Sequence, residues 1–224
     1  MGAMRLRSIL AAALCLAALP VLADPAPSAL VRLTRDASAP GGACTGVLIA
    51  PDLVLTAGHC GPGRDAPARA LFVQIGWDGT GFALTLRAAT YDRHPDAPEP
   101  RALTARNVGR DLALIRLAEP LPPALATPLP IAADGPALPS EPLTLAGYRN
   151  AGPPGPQLSA PCDTAPLIDA TLTAACRVVS GNSGGAVLRE TPEGWELVAI
   201  ISASGGGSAY AARPGAWVLQ ALAE

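Results

Sequence analysis

Short apolar runs separated by turn-forming residues make up most of the chain after its first thirty residues. Some runs alternate apolar and polar residues and others are continuously apolar, as half-buried and fully buried strands are. We predict strands over residues 30–33, 45–50, 53–55, 71–77, 82–90, 112–117, 143–148, 170–175, 186–189 and 195–202. Helical spacing of apolar residues is confined to 214–222, after an initial Pro214. The pattern predicts an all-β fold of antiparallel barrels with one C-terminal helix.

The first 23 residues have the pattern of a secretory signal. Arg5 and Arg7 precede an apolar stretch over residues 9–19, and Val21-Leu22-Ala23 has the small-residue pattern of a cleavage site. A buried apolar helix is the alternative, and the arginines and the cleavage pattern disfavour it. The stretch is also shorter than the ~20 residues that a membrane-spanning helix needs. We therefore predict cleavage after Ala23, a secreted or periplasmic protein, and one mature domain over residues 24–224.

The charge balance excludes some partners. Loss of Arg5 and Arg7 with the signal lowers the formal net charge from −2 by two, to −4. A chain with this balance offers no basic surface for nucleic acid or an anionic membrane. We expect neither nucleic-acid binding nor stable membrane association of the mature protein.

A serine between glycines is the first candidate for chemistry. Residues 181–185 read Gly-Asn-Ser-Gly-Gly and lie between two apolar runs. A serine hydroxyl becomes a useful nucleophile on a tight turn that exposes it and aims backbone N–H groups at the carbonyl under attack. Glycines permit such a turn. Turns of this composition are common, however, so the motif needs catalytic partners elsewhere in the chain.

Two upstream residues are candidates for those partners. His59 follows an apolar run, and Asp111 stands at the start of another. The order His, Asp, Ser is one of the known orders of the serine-hydrolase triad. Asp92 and Asp96 are the alternative acids. His94, the second histidine, stands in an Asp- and Pro-rich loop, and we expect it to be solvated.

These motifs together resemble those of the chymotrypsin/trypsin-like serine proteases, in particular bacterial members. The matching segments are residues 56–60 (Thr-Ala-Gly-His-Cys), 111–114 (Asp-Leu-Ala-Leu) and 181–185. The resemblance implies two antiparallel six-stranded β-barrels and a C-terminal helix, with the active site between the barrels. The N-terminal barrel would cover about residues 28–120, a Pro-rich connection about 119–142, and the C-terminal barrel and helix about 143–224. Polypeptide substrates and a monomer are expected.

The resemblance also implies roles for single residues. His59 would be the general base, Asp111 would orient its ring, and Ser183 would be the nucleophile. The backbone N–H groups of Gly181 and Ser183 would bind the oxyanion. Some members of this fold bind targets without cutting them, and a catalytically silent binding module is therefore the alternative function. Such proteins usually lack triad residues, and this chain has all three.

Four further residues are expected to contact the substrate or the triad. Ser202 takes the place of a serine that touches the triad acid in the family, and Ala203, Ser204 and Gly205 would line the cleft. Trypsin-like enzymes carry an acid six residues before the nucleophile, where this chain has Arg177.

Because no acid lies between Cys176 and Ser183, we predict weak cleavage after Lys or Arg and a preference for small apolar residues. Arg177 is expected to point to solvent. If Arg177 faced the pocket instead, acidic residues would be accepted.

The mature chain has four cysteines, which allow three pairings. Family resemblance implies the pairs Cys44–Cys60 and Cys162–Cys176. A zinc site is the competing interpretation, but the chain has no Cys-x-x-Cys and only two histidines. We expect no metal and no cofactor.

One departure from the family concerns activation. Asn182 stands where trypsin and chymotrypsin have an aspartate that pairs with a newly cut N-terminus. Only six residues separate Ala23 from Leu30, which is too short for the usual activation segment. We therefore expect that removal of the signal alone gives active protein.

Overall fold

Two antiparallel β-sheets contain most of the described chain. The structure is a computed structural model, and it describes residues 26–39, 43–63, 66–133 and 141–224. The predicted signal over residues 1–23 lies outside the described residues. The strands, in chain order, are β1 Leu30–Thr34, β2 Ala43–Ala50, β3 Leu53–Ala57, β4 Phe72–Trp77, β5 Phe82–Arg87, β6 Thr90–Arg93, β7 Leu112–Arg116, β8 Pro142–Gly147, β9 Gln157–Leu158, β10 Cys162–Pro166, β11 Thr171–Ala174, β12 Ala186–Thr191, β13 Gly194–Gly205 and β14 Ser208–Ala212.

The two sheets divide the strands by position in the chain. The first has the order β5-β4-β1-β2-β3-β7-β6 and curls as a half-barrel. The second has the order β10-β11-β14-β13-β12-β8-β9, and β10 also pairs with β8. That pairing closes a six-stranded barrel to which β9 is added. The predicted two-barrel, all-β fold with a C-terminal helix is confirmed.

Several strands differ from the sequence prediction. The run predicted over residues 82–90 is two strands, β5 and β6, which lie at opposite ends of the first sheet. Strands β9, β10 and β14 have no counterpart in the prediction. Strand β10 contains Asp163 and Pro166, and β14 consists mainly of alanine and serine, so neither shows an apolar alternation. Pairing with neighbouring strands, rather than local propensity, therefore determines these three strands.

The buried apolar side chains form two clusters, and the larger one contains residues of both sheets. The larger cluster includes Val47, Leu55 and Ile115 from the first sheet and Leu188 and Ile200 from the second. Burial of each such side chain contributes about 1.5–3 kcal/mol to stability. Because the cluster crosses from one sheet to the other, it fixes the two halves against each other along the site described below.

The C-terminal helix α1, Ala216–Leu222, packs on the outside of the first sheet. Val218 is buried in the shared core, and the Trp217 ring meets the His94 ring edge-on at 5.2 Å. His94 is therefore half-buried against an aromatic ring and not simply solvated. Within the described residues, no helix has the length and apolar character needed to cross a membrane.

Two disulfides close loops in the two halves. Cys44 pairs with Cys60 and Cys162 with Cys176, which confirms the predicted pairing. The closed loops span 16 and 14 residues of sequence separation. Crosslinks of this size contribute roughly 3 kcal/mol each in the chain-entropy model. The first disulfide begins at the start of β2 and ends one residue after His59.

Candidate active site

Pairing of β3 with β7 brings His59 next to Asp111. In the antiparallel register, Ala57 at the end of β3 lies opposite Leu112 at the start of β7. His59 follows β3 in a 3-10 turn, Gly58–Cys60, and Asp111 directly precedes β7. The His59 Nδ1 atom lies 2.7 Å from Asp111 Oδ2. Two residues separated by 52 positions in sequence are thus positioned by one strand pair.

Ser202 completes the contacts of the Asp111 carboxylate. Its hydroxyl donates a hydrogen bond to Asp111 Oδ2 at 2.5 Å. The register of β13 with β14 shifts between Ile201 and Ala203, so Ser202 is the extra residue of a β-bulge. Bulges change the direction of a side chain and are frequent beside active sites. The bulge therefore explains how one residue of a paired strand reaches Asp111.

The Asp111 side chain is completely buried. Its Oδ2 accepts hydrogen bonds from His59 and Ser202, and its Oδ1 has no hydrogen-bond partner among the described residues. A carboxylate can only accept, so the Nδ1 of His59 must carry the hydrogen. The Nε2 atom of the neutral ring then has the free lone pair and can accept a proton.

Ser183 is connected to the His59–Asp111 pair through Ser202. The hydroxyl of Ser183 donates to the backbone carbonyl of Ser202 at 3.5 Å. No hydrogen bond joins Ser183 to His59 in the part of the chain that the structure describes. Ser202 thus contacts Ser183 through its carbonyl and Asp111 through its hydroxyl, and the three predicted triad residues surround a single position of β13.

Two N–H groups of the serine turn have no protein acceptor among the described residues. The peptide between Ser180 and Gly181 is held at its carbonyl by the N–H of Asn150 at 2.9 Å, and the peptide between Asn182 and Ser183 at its carbonyl by the N–H of Gly185 at 2.9 Å. In a trans peptide the N–H points away from the carbonyl. The N–H groups of Gly181 and Ser183 therefore point away from those donors, and no described residue accepts from either.

The sequence of this region matches a known peptidase domain. The family model of the trypsin-like peptidase domain covers residues 44–200, which is more than half of the chain and includes His59, Asp111 and Ser183. The chain belongs to the trypsin-like peptidase family. No curated protein gives a significant match to it.

Glycine is required at two positions of the trypsin-like serine turn. Gly181 has a φ of +100°, and a Cβ atom there would lie 2.7 Å from the Asn150 nitrogen. Gly184 has a φ of +79°, and its Cβ atom would overlap the carbonyl oxygen of Thr45. Both the backbone conformation and the close approach exclude a side chain. The turn is therefore packed directly against backbone from two other segments.

Thr45 of β2 connects this turn to the first sheet. Its N–H donates to the Ser183 carbonyl at 2.7 Å, and its hydroxyl donates to the Gly181 carbonyl at 2.8 Å. The same hydroxyl accepts from the N–H of Tyr148 at 2.9 Å, and the Thr45 carbonyl accepts from the Thr56 hydroxyl at 2.7 Å. Thr45 is not identified from the sequence, because Gly181 lies 136 positions away from it and no local pattern marks the contact.

The buried side chain of Asn182 is hydrogen-bonded to the chain at both its nitrogen and its oxygen. Its Nδ2 donates to the Tyr148 carbonyl at 3.0 Å, and its Oδ1 accepts from the N–H of Val179 at 2.9 Å. The amide thus connects the serine turn to the end of β8. Asn182 stands at the position where, according to the resemblance, trypsin and chymotrypsin have an aspartate.

Strand β13 has a free edge beside Ser183. Its pairing with β12 ends at Ile200, whereas its pairing with β14 continues to Gly205. Ala203 is half-buried, and Ser204 and Gly205 are exposed. On the edge away from β14, no described strand pairs with residues 202–205. Arg177 is exposed to solvent, in the segment that leads into the serine turn.

An open cleft of about 490 Å³ lies against His59 on the side of the first sheet. Arg35, Tyr91, Arg93 and Glu99 contribute to its walls. The Tyr91 hydroxyl donates to the Gly58 carbonyl at 2.7 Å. Burial raises the pKa of Tyr91 well above its usual range, so the phenol is neutral and remains a donor. Tyr91 therefore supports the turn that carries His59.

The alternative acids lie away from His59. Asp92 accepts a hydrogen bond from the hydroxyl of Thr90, and the backbone N–H of Asp96 donates to the His94 ring. Among the described residues, neither acid forms a hydrogen bond or an ion pair with His59, which pairs with Asp111. A ring nitrogen of His59 lies within 4.8 Å of the Cys44 and Cys60 sulfurs, but those sulfurs are bonded to each other and are not free thiolates.

Proposed function

We propose that this protein is a secreted serine endopeptidase that hydrolyses peptide bonds through Ser183, His59 and Asp111. The observation that carries the proposal is the continuous set of contacts His59–Asp111–Ser202–Ser183 within a trypsin-like peptidase domain. Asp111 accepts from Nδ1 of His59, which leaves Nε2 able to accept a proton, and Ser202 keeps the Ser183 hydroxyl next to this pair.

In the proposed reaction, the Ser183 hydroxyl attacks the substrate carbonyl and its proton moves to Nε2 of His59. The Ser183 hydroxyl first turns from the Ser202 carbonyl towards Nε2, since free enzymes often have long or misaligned catalytic hydrogen bonds. The N–H groups of Gly181 and Ser183 stabilise the oxyanion. His59 then protonates the leaving amine. Water next attacks the acyl-enzyme, with His59 accepting a proton from the water and returning it to Ser183 as the acid product leaves.

The free edge of β13 is the proposed place for the substrate backbone. An extended peptide can add to this edge through backbone hydrogen bonds to residues 202–205. The absence of an acid between Cys176 and Ser183 supports a preference for small apolar side chains over Lys or Arg before the cleaved bond. The two disulfides fit an oxidising compartment outside the cytosol.

Activation is proposed to need no cut beyond the signal. Both polar groups of the Asn182 amide are satisfied by the chain itself, so the serine turn has no unpaired buried charge that awaits a new α-amino group. N-terminal sequencing of the secreted, active protein tests this. A start well beyond Asp24, with longer forms inactive, would contradict it.

The alternative is a binding module without activity. The single observation in its favour is the hydrogen bond of the Ser183 hydroxyl with Ser202 in place of His59. A fluorophosphonate probe, which labels activated serines, separates the two functions. We expect labelling and peptide hydrolysis by the secreted protein, and loss of both in Ser183→Ala.

Ser38→Ala is the matched control. The Ser38 hydroxyl donates a hydrogen bond to Asp36 in an exposed turn, so its loss should leave labelling unchanged. Labelling that persists in Ser183→Ala would place the nucleophile elsewhere. A folded wild-type protein with no labelling would favour the binding module.

A further inference from the structure

The proposed oxyanion N–H of Gly181 is aimed by a residue outside the serine turn. A peptide group is planar, so the direction of the Gly181 N–H follows from the position of the Ser180 carbonyl. The only described donor to that carbonyl is the backbone N–H of Asn150 at 2.9 Å. The position of Asn150 therefore determines where the Gly181 N–H points.

The side chain of Asn150 holds its own backbone in place from two sides. Its Oδ1 accepts from the N–H of Ala43, the first residue of β2, at 2.9 Å. Its Nδ2 donates to the Ser180 hydroxyl at 2.8 Å. Asn150 thus joins the first sheet, the segment after β8 and the residue next to Gly181; Ala43 and Ser180 lie 107 and 30 positions away from it in sequence.

Close packing transmits the position of Asn150 to Gly181. A Cβ atom on Gly181 would lie within 2.9 Å of the backbone of both Arg149 and Asn150. There is no space between the two segments, so a shift of the Asn150 backbone moves the peptide of Gly181. Preorganised donors are effective only when they already point to where the oxyanion forms.

We propose that Asn150 is a positioning residue for catalysis, which acts through Ser180 and sets the direction of the Gly181 N–H. The inference rests on the proposed peptidase function. It assigns no contact with the substrate to Asn150, so its effect should appear in the chemical step and not in substrate binding.

The test compares two substitutions with a conservative variant. Asn150→Ala removes both side-chain hydrogen bonds, and Ser180→Ala removes the partner of Nδ2. Ser180 is exposed, so Ser180→Thr keeps the hydroxyl and has room for its methyl group. We expect kcat to fall about 10- to 100-fold in Asn150→Ala, less than the roughly 10²- to 10³-fold loss typical when an entire oxyanion donor is removed.

The other kinetic readouts separate positioning from general damage. The KM of Asn150→Ala should stay within about twofold of wild type, because uniform substrate binding is retained. Affinity for a peptide aldehyde, which forms a tetrahedral adduct, should fall in parallel with kcat. Ser180→Ala should lose kcat about threefold or more, and Ser180→Thr should restore it.

Thr191→Ala is the structural control. The Thr191 side chain also makes two hydrogen bonds to backbone groups in the second sheet, but in the hairpin between β12 and β13, away from the serine turn. Its kcat should equal that of wild type. If Asn150→Ala does not fold, the Ser180 pair decides the question alone.

A wild-type kcat in Asn150→Ala or in Ser180→Ala would overturn the inference. A rise in KM without a fall in kcat would also overturn it. A wild-type protein that hydrolyses no peptide would instead contradict the proposed function.

Discussion

His59 and Asp111 are held by regular strands of the first sheet, whereas Ser183 is held on a turn whose contacts come from both halves. The register of β3 and β7 brings His59 and Asp111 together, and Ser202 adds one hydrogen bond to Asp111 from the second sheet. The serine turn depends on hydrogen bonds donated by Thr45 and Asn150 and on one that Asn182 donates to the Tyr148 carbonyl. The placement of His59 and Asp111 therefore follows mainly from strand pairing, whereas the proposed nucleophile and oxyanion groups depend on individual side chains.

Asp111→Asn should have the largest effect on activity. The variant amide keeps the size of the carboxylate but can present its N–H₂ to His59, which then takes the wrong tautomer. We expect kcat to fall about 10⁴-fold with little change in unfolding temperature. Steady-state kinetics and circular dichroism measure the two quantities. A loss below tenfold would mean that Asp111 does not orient His59.

Asn182→Asp should cost the most stability. At neutral pH the new carboxylate would be buried and would face the Tyr148 carbonyl, which now accepts from the Nδ2 of Asn182. We expect the free energy of unfolding to fall by about 3 kcal/mol. Burial raises the pKa of the new carboxyl in the folded state, so the loss is complete above that pKa and disappears as the pH falls and the protonated group can donate.

Asn107→Asp is the control for this change. The Asn107 side chain also accepts from one backbone N–H and donates to one backbone carbonyl, but in an exposed loop. Its cost should stay below about 0.5 kcal/mol. Urea denaturation of both variants between acid and neutral pH makes the comparison, and equal losses for both would show that the serine turn is not specially dependent on Asn182.

The preference for a small apolar residue before the cleaved bond should give an effect of intermediate size. Matched peptides that differ only in Ala or Arg before the cleaved bond should differ about 10-fold or more in kcat/KM, in favour of Ala. The reason is that the segment between Cys176 and Ser183 contains no acid that could pair with a cationic side chain. A clear preference for Arg would refute a pocket without an acid.

Tyr91→Phe should have the smallest effect, on the side of the site that the sheet holds. It removes the hydrogen bond to the Gly58 carbonyl, and we expect a loss of about 1 kcal/mol in unfolding free energy and no more than about a threefold change in kcat. Tyr210→Phe is the stability control, because the Tyr210 hydroxyl has no hydrogen bond to a described residue. An activity loss of about 100-fold, well beyond what one such hydrogen bond contributes, would mean that the His59 turn is as fragile as the serine turn.

The sequence motifs identify those candidate site residues that adjoin an apolar run or a glycine-rich turn. His59 and Asp111 are recognisable because each adjoins an apolar run, and Ser183 because its glycines permit a tight turn. Family resemblance places Ser202 near Asp111, and the β-bulge supplies the physical reason.

The supporting residues cannot be predicted in the same way. The hydrogen bonds of Thr45 to Gly181 and of Asn150 to Ala43 join positions more than 100 residues apart, and no local pattern encodes such contacts. Strand β14 escapes prediction because small residues show no alternation, although its place between β11 and β13 is well determined in the fold. Long-range pairing, which a single sequence does not display, accounts for both omissions.

Under the proposed activity, the hydrogen bonds of Thr45 should protect this part of the chain from self-digestion. A peptidase in solution cuts neighbouring molecules at segments that open locally. Any opening of the serine turn or of β2 near Thr45 must break several hydrogen bonds at once, so this part of the chain should be among the last to be cut. Self-digestion should begin at exposed segments such as the turn between β10 and β11, where residues 167–169 are exposed.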